Sequence, residues 1–429
     1  MNGTLAAYLP SAEHVSVLRP GWLNQCLQFT GPMRICLVTA FPPSTQRLNE
    51  YGLHLAQQVR EQQVTLTILG DKYQPRAPEV DGFQVNRCWR FNEVSTAFRI
   101  LAAARRLKPD VVWFNLVYST FGDRPLAAFL GLCTPALLRL AGFRTHVTLH
   151  HLMQNVDLRH ADIRFPGLYL AAGSLATRIL LKANTVSVLL ERYRSTLEQR
   201  YGARNISVRR HGILGAVPCP PDFSQREAQF RILAFGKFGR YKRLEVMLEA
   251  FPLVRAQVPN ARLVIAGQDH PNRPGYMESL AEKYQGDPNI EFLGYLPEDG
   301  IGPVFSRCNV AVLPYSSSGG PSGVAHQAAQ FGLPLIAPPI ADIINITSEE
   351  GLAVEYYRTD DAADLADKII ALARDPERQY QMAEQNYTAA MAMTMPHIVQ
   401  QYLLGFRESS EAGFQPCVSS LPEDPQAAA

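Results

Sequence analysis

The sequence predicts an α/β protein made of two doubly wound, Rossmann-like domains facing a cleft. Three observations carry this expectation. At 429 residues the chain exceeds what one ordinary core holds, so two domains are expected. Apolar runs of strand length alternate with segments of helical period, the pattern of parallel sheets covered on both faces. The alternation runs twice, with a proline-rich break between its halves.

Taken in order, residues 1–32 form an N-terminal extension without the basic start and long apolar core of a signal peptide. Met33 opens directly into MRICLVTAFPP, and a start at Met33 is an alternative reading of this end. Strands are expected at Arg34–Thr39, Val64–Leu69, Val111–Phe114, His146–Leu149 and Thr185–Val188, with a further one near Ile206–Arg209. A helix between Leu48 and Arg60 places Leu48, Tyr51, Leu55 and Val59 on one face. These elements make a first domain over 33–215. Residues 216–228, with Pro218, Pro220 and Pro221, have linker composition.

The second domain, 229–395, repeats the scheme. Its strands are expected at Ile232–Phe235, Arg262–Ala266, Ile290–Leu293, Val310–Leu313, Leu335–Ala337 and Leu352–Val354. Its first helix lines up Leu244, Met247, Phe251, Val254 and Val258. Residues 396–408 form a helix returning to the first domain, and 409–429, rich in Ser, Pro, Glu and Ala, a disordered tail.

Composition narrows the function. Apolar residues make up 47% and charged residues 19%, which indicates a folded, soluble chain. A net charge of +2 gives no footprint for nucleic acid. No uncharged apolar run is long enough to span a bilayer; Pro125 to Gly142 is interrupted by Thr134, Pro135 and Arg139. Seven cysteines lie scattered with no CxxC spacing, which favours a reducing compartment over disulfides or structural zinc. A cytoplasmic protein is expected.

Two loops bear the chemistry. Gly236 and Lys237 end the first strand of the second domain, and Lys242 stands near the next helix. Ammonium groups at a strand end are compact partners for a departing diphosphate; solvated surface lysines are the alternative. The second loop, Ser316 to Val324, places Gly319, Gly320 and Gly323 where backbone must approach phosphate oxygens. Ser322 is an N-cap candidate, leaving the Gly323 and Val324 amides at the positive end of a helix. His326 falls on the same helical face and Gln327 one step around. His150 and His151 end a first-domain strand, but adjacent strand residues face opposite ways, and no acidic cluster accompanies them. No metal is expected. His150 is the preferred contact to a transferred group, and His211 is a second strand-end histidine.

At these residues the chain resembles the retaining GT-B glycosyltransferases, in particular glycosyltransferase family 4, over roughly 33–407. Gly236-Lys237 with Lys242 resembles the family's G-R-x4-K, with lysine in place of arginine. Ile265-Ala266-Gly267 and Phe292-Leu293-Gly294-Tyr295 resemble its next strand ends, which puts Tyr295 and Leu296 near the base pocket. Phe331 to Ile336 resembles G-x-P-V-[IV], Thr148-Leu149-His150 its T-x-H, and His211-Gly212-Ile213 its H-G-[VI]. Two departures stand out. The E-x7-E positions hold Gly319 and Gln327, so neither glutamate is present; Gln327 can still bond a ribose hydroxyl, without charge. The usual Gly-Gly of the first loop is replaced by Arg47-Leu48-Asn49-Glu50-Tyr51.

The resemblance implies retaining, metal-independent transfer of a hexosyl unit to an acceptor hydroxyl. It implies a nucleoside-diphosphate sugar as substrate, no cofactor, and a carbohydrate or glycolipid acceptor in polysaccharide or glycolipid synthesis. Lys237, Lys242 and His150 would be catalytic. Gly236, Gly320, Ser322, Gly323, Val324, His326, Gln327, Tyr295 and Leu296 would bind donor. Arg47, Asn49, Tyr51 and His211 would face the acceptor, with peripheral contact of the first domain at the inner membrane face. A non-catalytic sugar-nucleotide binder and a sugar-nucleotide epimerase are the alternatives.

Overall fold

The computed structural model describes residues 32–411 apart from 74–77, 79, 154–165, 216–218, 222–228, 240, 271–272 and 318–321. Most of the extension, linker and tail therefore lie outside the described residues, as does Gly320.

The first domain runs β1 (Met33–Val38), α1 (Asn49–Arg60), β2 (Val64–Lys72), β3 (Val85–Arg90), α2 (Thr96–Leu107) and β4 (Val111–Leu116). It continues with α3 (Pro125–Leu132), α4 (Thr134–Leu140), β5 (Thr145–Leu149), α5 (Pro166–Leu180), β6 (Thr185–Val188), α6 (Glu191–Tyr201) and β7 (Ile206–Val208). Its seven strands pair in the order β3-β2-β1-β4-β5-β6-β7, and each pairing is parallel.

The second domain runs β8 (Phe230–Phe238), α7 (Leu244–Gln257), β9 (Ala261–Asp269), α8 (Tyr276–Tyr284), β10 (Ile290–Gly294) and α9 (Glu298–Ser306). Then follow β11 (Val310–Val312), α10 (Gly323–Gln330), β12 (Leu335–Ala337), α11 (Ala341–Glu350), β13 (Val354–Tyr356), α12 (Ala362–Ala373) and α13 (Pro376–Met391). Six strands form a second parallel sheet, β10-β9-β8-β11-β12-β13. In both sheets the central strands are buried, which is why they read as continuous apolar runs.

The final helix, α14 (Met395–Glu411), packs onto the first domain beside α1. Met395, Ile398, Val399, Tyr402 and Phe406 share a core with Ile35, Leu37, Leu55 and Trp113. Tyr402 stacks 4.5 Å from Trp113, and its hydroxyl accepts from Thr148 and Ser187 at 3.2 Å each. The other face of the first sheet is covered by α2 to α6, whose Ile100, Leu138, Ala176 and Tyr193 are buried together. The two chain crossings between domains lie side by side, because the Ile213 amide donates to the Met393 carbonyl at 2.9 Å.

Local differences from expectation have local causes. Val85–Arg90 is a strand that the apolar pattern does not mark: it lies at the sheet edge, and its sequence VNRCWR mixes polar and apolar residues. The 125–142 segment is two helices, broken at Cys133 ahead of a proline in the first turn of α4. Leu48 does not enter α1 but caps it in the left-handed region, at φ 67°. The last strand lies two residues later than expected, at Val354–Tyr356, and Val258 falls just beyond α7. Among the described residues no helix is long and apolar enough to cross a membrane.

Candidate functional site

The lysine loop and the glycine-serine loop, remote in sequence, are stitched into one structure. Beyond β8, Gly239 and Lys242 exchange two backbone hydrogen bonds of 3.0 Å, which folds the loop back on itself. Lys242 then bridges to Tyr315, the Arg243 amide donates to Pro314 O at 2.7 Å, and the Ser316 amide to Tyr241 O at 2.7 Å. The loop after β8 thus forms a continuation of the strand end after β11.

This stitching aims Lys242 inward. Its Nζ lies 4.7 Å from the centre of the Tyr315 ring, a cation–π contact. A Cβ added to Gly236 would lie 3.4 Å from that Nζ and 3.4 Å from Val324 Cγ2, so the ammonium, the end of β8 and the start of α10 converge. Among the described residues no carboxylate pairs with Lys242. Burial works against its charge, but the Tyr315 and Tyr241 hydroxyls more than offset this and hold it above the ordinary lysine range. A protonated amine without an anion, at the start of a helix, is arranged to receive one.

Ser322 caps α10: it is buried, and its Oγ accepts from the Ala325 amide at 3.3 Å. The first amides of the helix, at Gly323 and Val324, have no intrahelical acceptor by position. Gly323 is exposed, so the chain can approach a ligand there. Lys237, one residue beyond Gly236, is exposed and does not join the Lys242–Tyr315 contact. Tyr295 is exposed beyond β10, and Leu296 is partly buried. Gln327 is partly buried on α10.

His326 does not line the cleft as expected. Only 1% of it is exposed, and both ring nitrogens are engaged: Nδ1 with Ser322 O at 2.9 Å and Nε2 with Glu350 at 2.6 Å. Burial pulls its pKa down, but the Glu350 charge and hydrogen bond outweigh that and raise it, while His326 lowers Glu350 in turn against the same burial. The sequence offered no signal for Glu350, whose partner lies on a different helix.

The signs of the two shifts define a pH window. The raised His326 contributes stability fully below its unfolded value near 6.5 and loses it as pH rises through its folded value. The lowered Glu350 contributes fully above about 4.3 and loses it as pH falls through its folded value. Glu350→Gln should therefore destabilise most between about pH 4.5 and 6.5, by about 3 kcal/mol, because one member of a buried pair is left behind. Thermal melts of both proteins across pH 3–9 check this; a gap that does not vary with pH would contradict the ion pair.

On the first-domain side, His211 stacks on His326 with ring centroids 5.3 Å apart and planes inclined by 10°. Its Nδ1–H donates to the Gly212 carbonyl at 2.8 Å, leaving Nε2 as an acceptor. Burial, then the neighbouring His326 charge, push its pKa down to about 4, so it is neutral near pH 7. Tyr51 packs edge-on against both His150 and His211, at 4.5 and 5.0 Å. The expectation that Tyr51 faces an acceptor is corrected: it is buried, and its hydroxyl donates to the His211 carbonyl at 2.7 Å. Tyr51→Phe should cost about 1 kcal/mol in a denaturant melt, the net value of one hydrogen bond.

His150 is also interior. Asn115 donates through Nδ2 to Thr39 at 3.1 Å, so its Oδ1 accepts from His150 Nε2 at 2.6 Å. Burial first, then His211 and His151, hold His150 well below the ordinary range. It is a neutral ring fixed in one tautomer rather than an open contact. His151 turns elsewhere, toward Tyr118 at 5.6 Å, so the two histidines do not converge.

The loop before α1 is held from beneath. Buried Asp71 accepts from the Phe41 amide at 3.1 Å and from Ser44 Oγ, and Arg87 donates to the carbonyls of Phe41 and Asp71. Asn49 serves this loop too, its Nδ2 donating to Ser44 O at 2.8 Å, while Arg47 is exposed. Gly52 stands where a Cβ would come within 2.7 Å of Thr39 Oγ1, which lets α1 lie close to the end of β1.

The domains meet next to this array. The Glu349 carboxylate accepts from the Glu191 and Arg192 amides at 2.6 and 3.1 Å, capping α6 from the other domain. Tyr193 donates to Asp342 at 3.1 Å.

Comparison with known proteins gives a consistent result. Residues 229–375 match the family described as glycosyl transferases group 1. An uncharacterised glycosyltransferase of Bacillus subtilis is 23% identical over 215 residues, covering 48% of this chain and 58% of that protein. The chain spans about half the length of the curated relatives it matches. Among solved structures, a sucrose-phosphate synthase from Thermosynechococcus elongatus aligns over 89% of this chain and all of its own, with a TM-score of 0.67 and 18% identity. HepE of Anabaena, in complex with UDP and glucose, aligns over 88% of this chain and all of its own, with a TM-score of 0.64 and 14% identity. The fold is GT-B, and the second domain carries the group 1 glycosyl transferase match.

Proposed function

We propose that the protein is a glycosyltransferase that moves a hexosyl unit from a nucleoside-diphosphate sugar to an acceptor hydroxyl. The reaction retains anomeric configuration and needs no metal. One observation carries the reading: the Lys242 ammonium, without a carboxylate partner among the described residues, lies beside Gly236, which also borders Val324 in the first turn of α10. A diphosphate there meets a fixed cation and the free amides of Gly323 and Val324, and charge developing on the leaving group is stabilised without reorganisation. Lys237, at the exposed edge, adds a mobile second cation.

The remaining residues take supporting roles. Ser322, His326 and Glu350 fix the helix start that presents the amides. His211, neutral with Nε2 free to accept, is placed to take a hydrogen bond from a sugar hydroxyl, and Tyr51 holds its backbone. Tyr295 and Leu296 flank the base, and Gln327 bonds the ribose. His150, bound to Asn115, shapes the floor beneath the transferred sugar. The leaving phosphate oxygen accepts the acceptor proton, so no protein carboxylate is required. Arg47, exposed ahead of α1, meets the acceptor, a carbohydrate or glycolipid.

The test is a panel of nucleoside-diphosphate sugars, UDP-glucose first since HepE has been solved with it. Binding and slow release of nucleoside diphosphate are followed without acceptor. Saturable binding of one donor with release of its nucleoside diphosphate is expected. No binding by any donor overturns the reading. Binding with no turnover against any acceptor in a lysate or glycolipid screen would leave a sugar-nucleotide binder, the outcome that the missing E-x7-E glutamates would explain.

A further inference from the structure

We infer that Glu350 is a positioning residue: acting through His326, it keeps Nε2 of His211 a bare hydrogen-bond acceptor at the start of α10. That this nitrogen meets a sugar hydroxyl rests on the transfer reading above. The relay itself rests on three side chains drawn from both domains. The His211 ring reaches the second domain at the first residue of α10: a Cβ added to Gly323 would find His211 Cε1 nearest, at 4.0 Å. Cε1 lies between the two ring nitrogens. Nδ1 is committed to the Gly212 carbonyl at 2.8 Å, and Nε2 has no hydrogen-bond partner among the described residues. The ring is only partly buried, so a ligand can supply one.

Behind His211 lies the ring of His326, 5.3 Å away and within 10° of parallel. Glu350 holds that ring at 2.6 Å, and both residues are buried. The carboxylate is not fully satisfied, because its Oε1 has no hydrogen-bond partner among the described residues. A buried pair of this kind adds little stability over apolar side chains of the same size. What the pair does supply is a positive charge held flat against His211, and a like charge that close opposes a second proton.

The other groups around His211 do not supply that charge. Tyr51 of α1 packs on it at 5.0 Å, and burial holds the phenol well above its ordinary range, hence neutral. His150, just past β5, lies 6.0 Å away and is kept neutral by burial. Met395 and Ile398 of α14, which border Gly212, are apolar. Arg210 donates to the Glu349 carbonyl at 2.7 Å, and its charge favours the Glu350 carboxylate while opposing a charged His326. Burial first, then His326, bring His211 down to about 4, against the pull of the Gly212 carbonyl and Glu350. Removing the His326 charge must therefore move His211 upward.

Histidine-ring ¹H–¹⁵N spectra of the full chain, followed as the pH is lowered, test this with no ligand present. In the wild type His211 should keep a bare Nε2 down to about pH 4, and His326 should titrate above 6.5. In His326→Gln the His211 midpoint should rise by about one pH unit, roughly a tenfold gain in proton affinity. Glu350→Gln should raise it by less, because the lost carboxylate had itself favoured protonation of His211. The acid limb of nucleoside diphosphate release should move by the same interval as the ring in each variant. A wild-type His211 that titrates near its ordinary value of about 6.5 overturns the inference without any variant. So does a midpoint that neither substitution moves, the result that a purely structural pair would give. An acid limb that stays in place while the ring titration moves overturns the role of His211 at the site. Failure of every donor to bind would sink the transfer reading, and the ring titrations would still decide the relay.

Discussion

Lys242→Met is expected to lower the release of nucleoside diphosphate from the donor by about 10²- to 10³-fold, with little change in melting temperature. The rate effect follows from position. The ammonium is fixed by the bridge between its own loop and Tyr315, so it need not reorganise when charge forms on the leaving phosphate. Methionine keeps an unbranched stem against the Tyr315 ring and removes the ammonium, with its charge and its hydrogen bond to Tyr315. Stability should hold because among the described residues Lys242 has no anionic partner to strand, so removing its charge leaves no buried carboxylate of theirs behind. Lys237→Met should cost less, about tenfold, because Lys237 is exposed and lies outside that contact. Initial rates and donor dissociation constants for both variants check this ordering. Wild-type rates in both would remove the diphosphate site from this end of β8.

The ordering could not be read from the sequence, where the two lysines look equivalent. Strand alternation and apolar runs locate the buried strands, because burial on both faces leaves a continuous apolar signature, as in VVWF and VIAG. They miss Val85–Arg90, whose edge position leaves that signature incomplete. Glycines and a cap serine mark the two loops as ligand-facing. The pattern does not show that Arg243 and Ser316 tie one loop to the other through backbone hydrogen bonds, since backbone bonds are blind to residue type. Nor does it distinguish a histidine that meets a ligand from one that holds the scaffold. His326 and His150 sit at motif positions, yet their rings are taken by Glu350 and Asn115, partners 24 and 35 residues away. Histidine can serve either purpose, and only the neighbours decide.

Gly267 bears the second large prediction, since its role is steric. It ends the apolar run of β9 opposite Gly236, and a Cβ there would come within 1.8 Å of the Gly236 carbonyl oxygen. That atom is backbone in a paired strand and cannot swing aside. Its own φ of +139° disfavours any side chain as well. Gly267→Ala must therefore separate β9 from β8 at the residue where the lysine loop begins. A loss of about 4 kcal/mol or more is expected, at the upper end for a single substitution and a large part of a domain's total stability. Gly294→Ala is the control. It also has positive φ, at +65°, but an added Cβ meets nothing within 4 Å, so only the left-handed backbone cost of about 1 kcal/mol remains. Denaturant midpoints of the two variants separate the terms: equal losses would mean that backbone conformation alone selects glycine, and that the two strand ends are not pressed together where Lys242 meets α10.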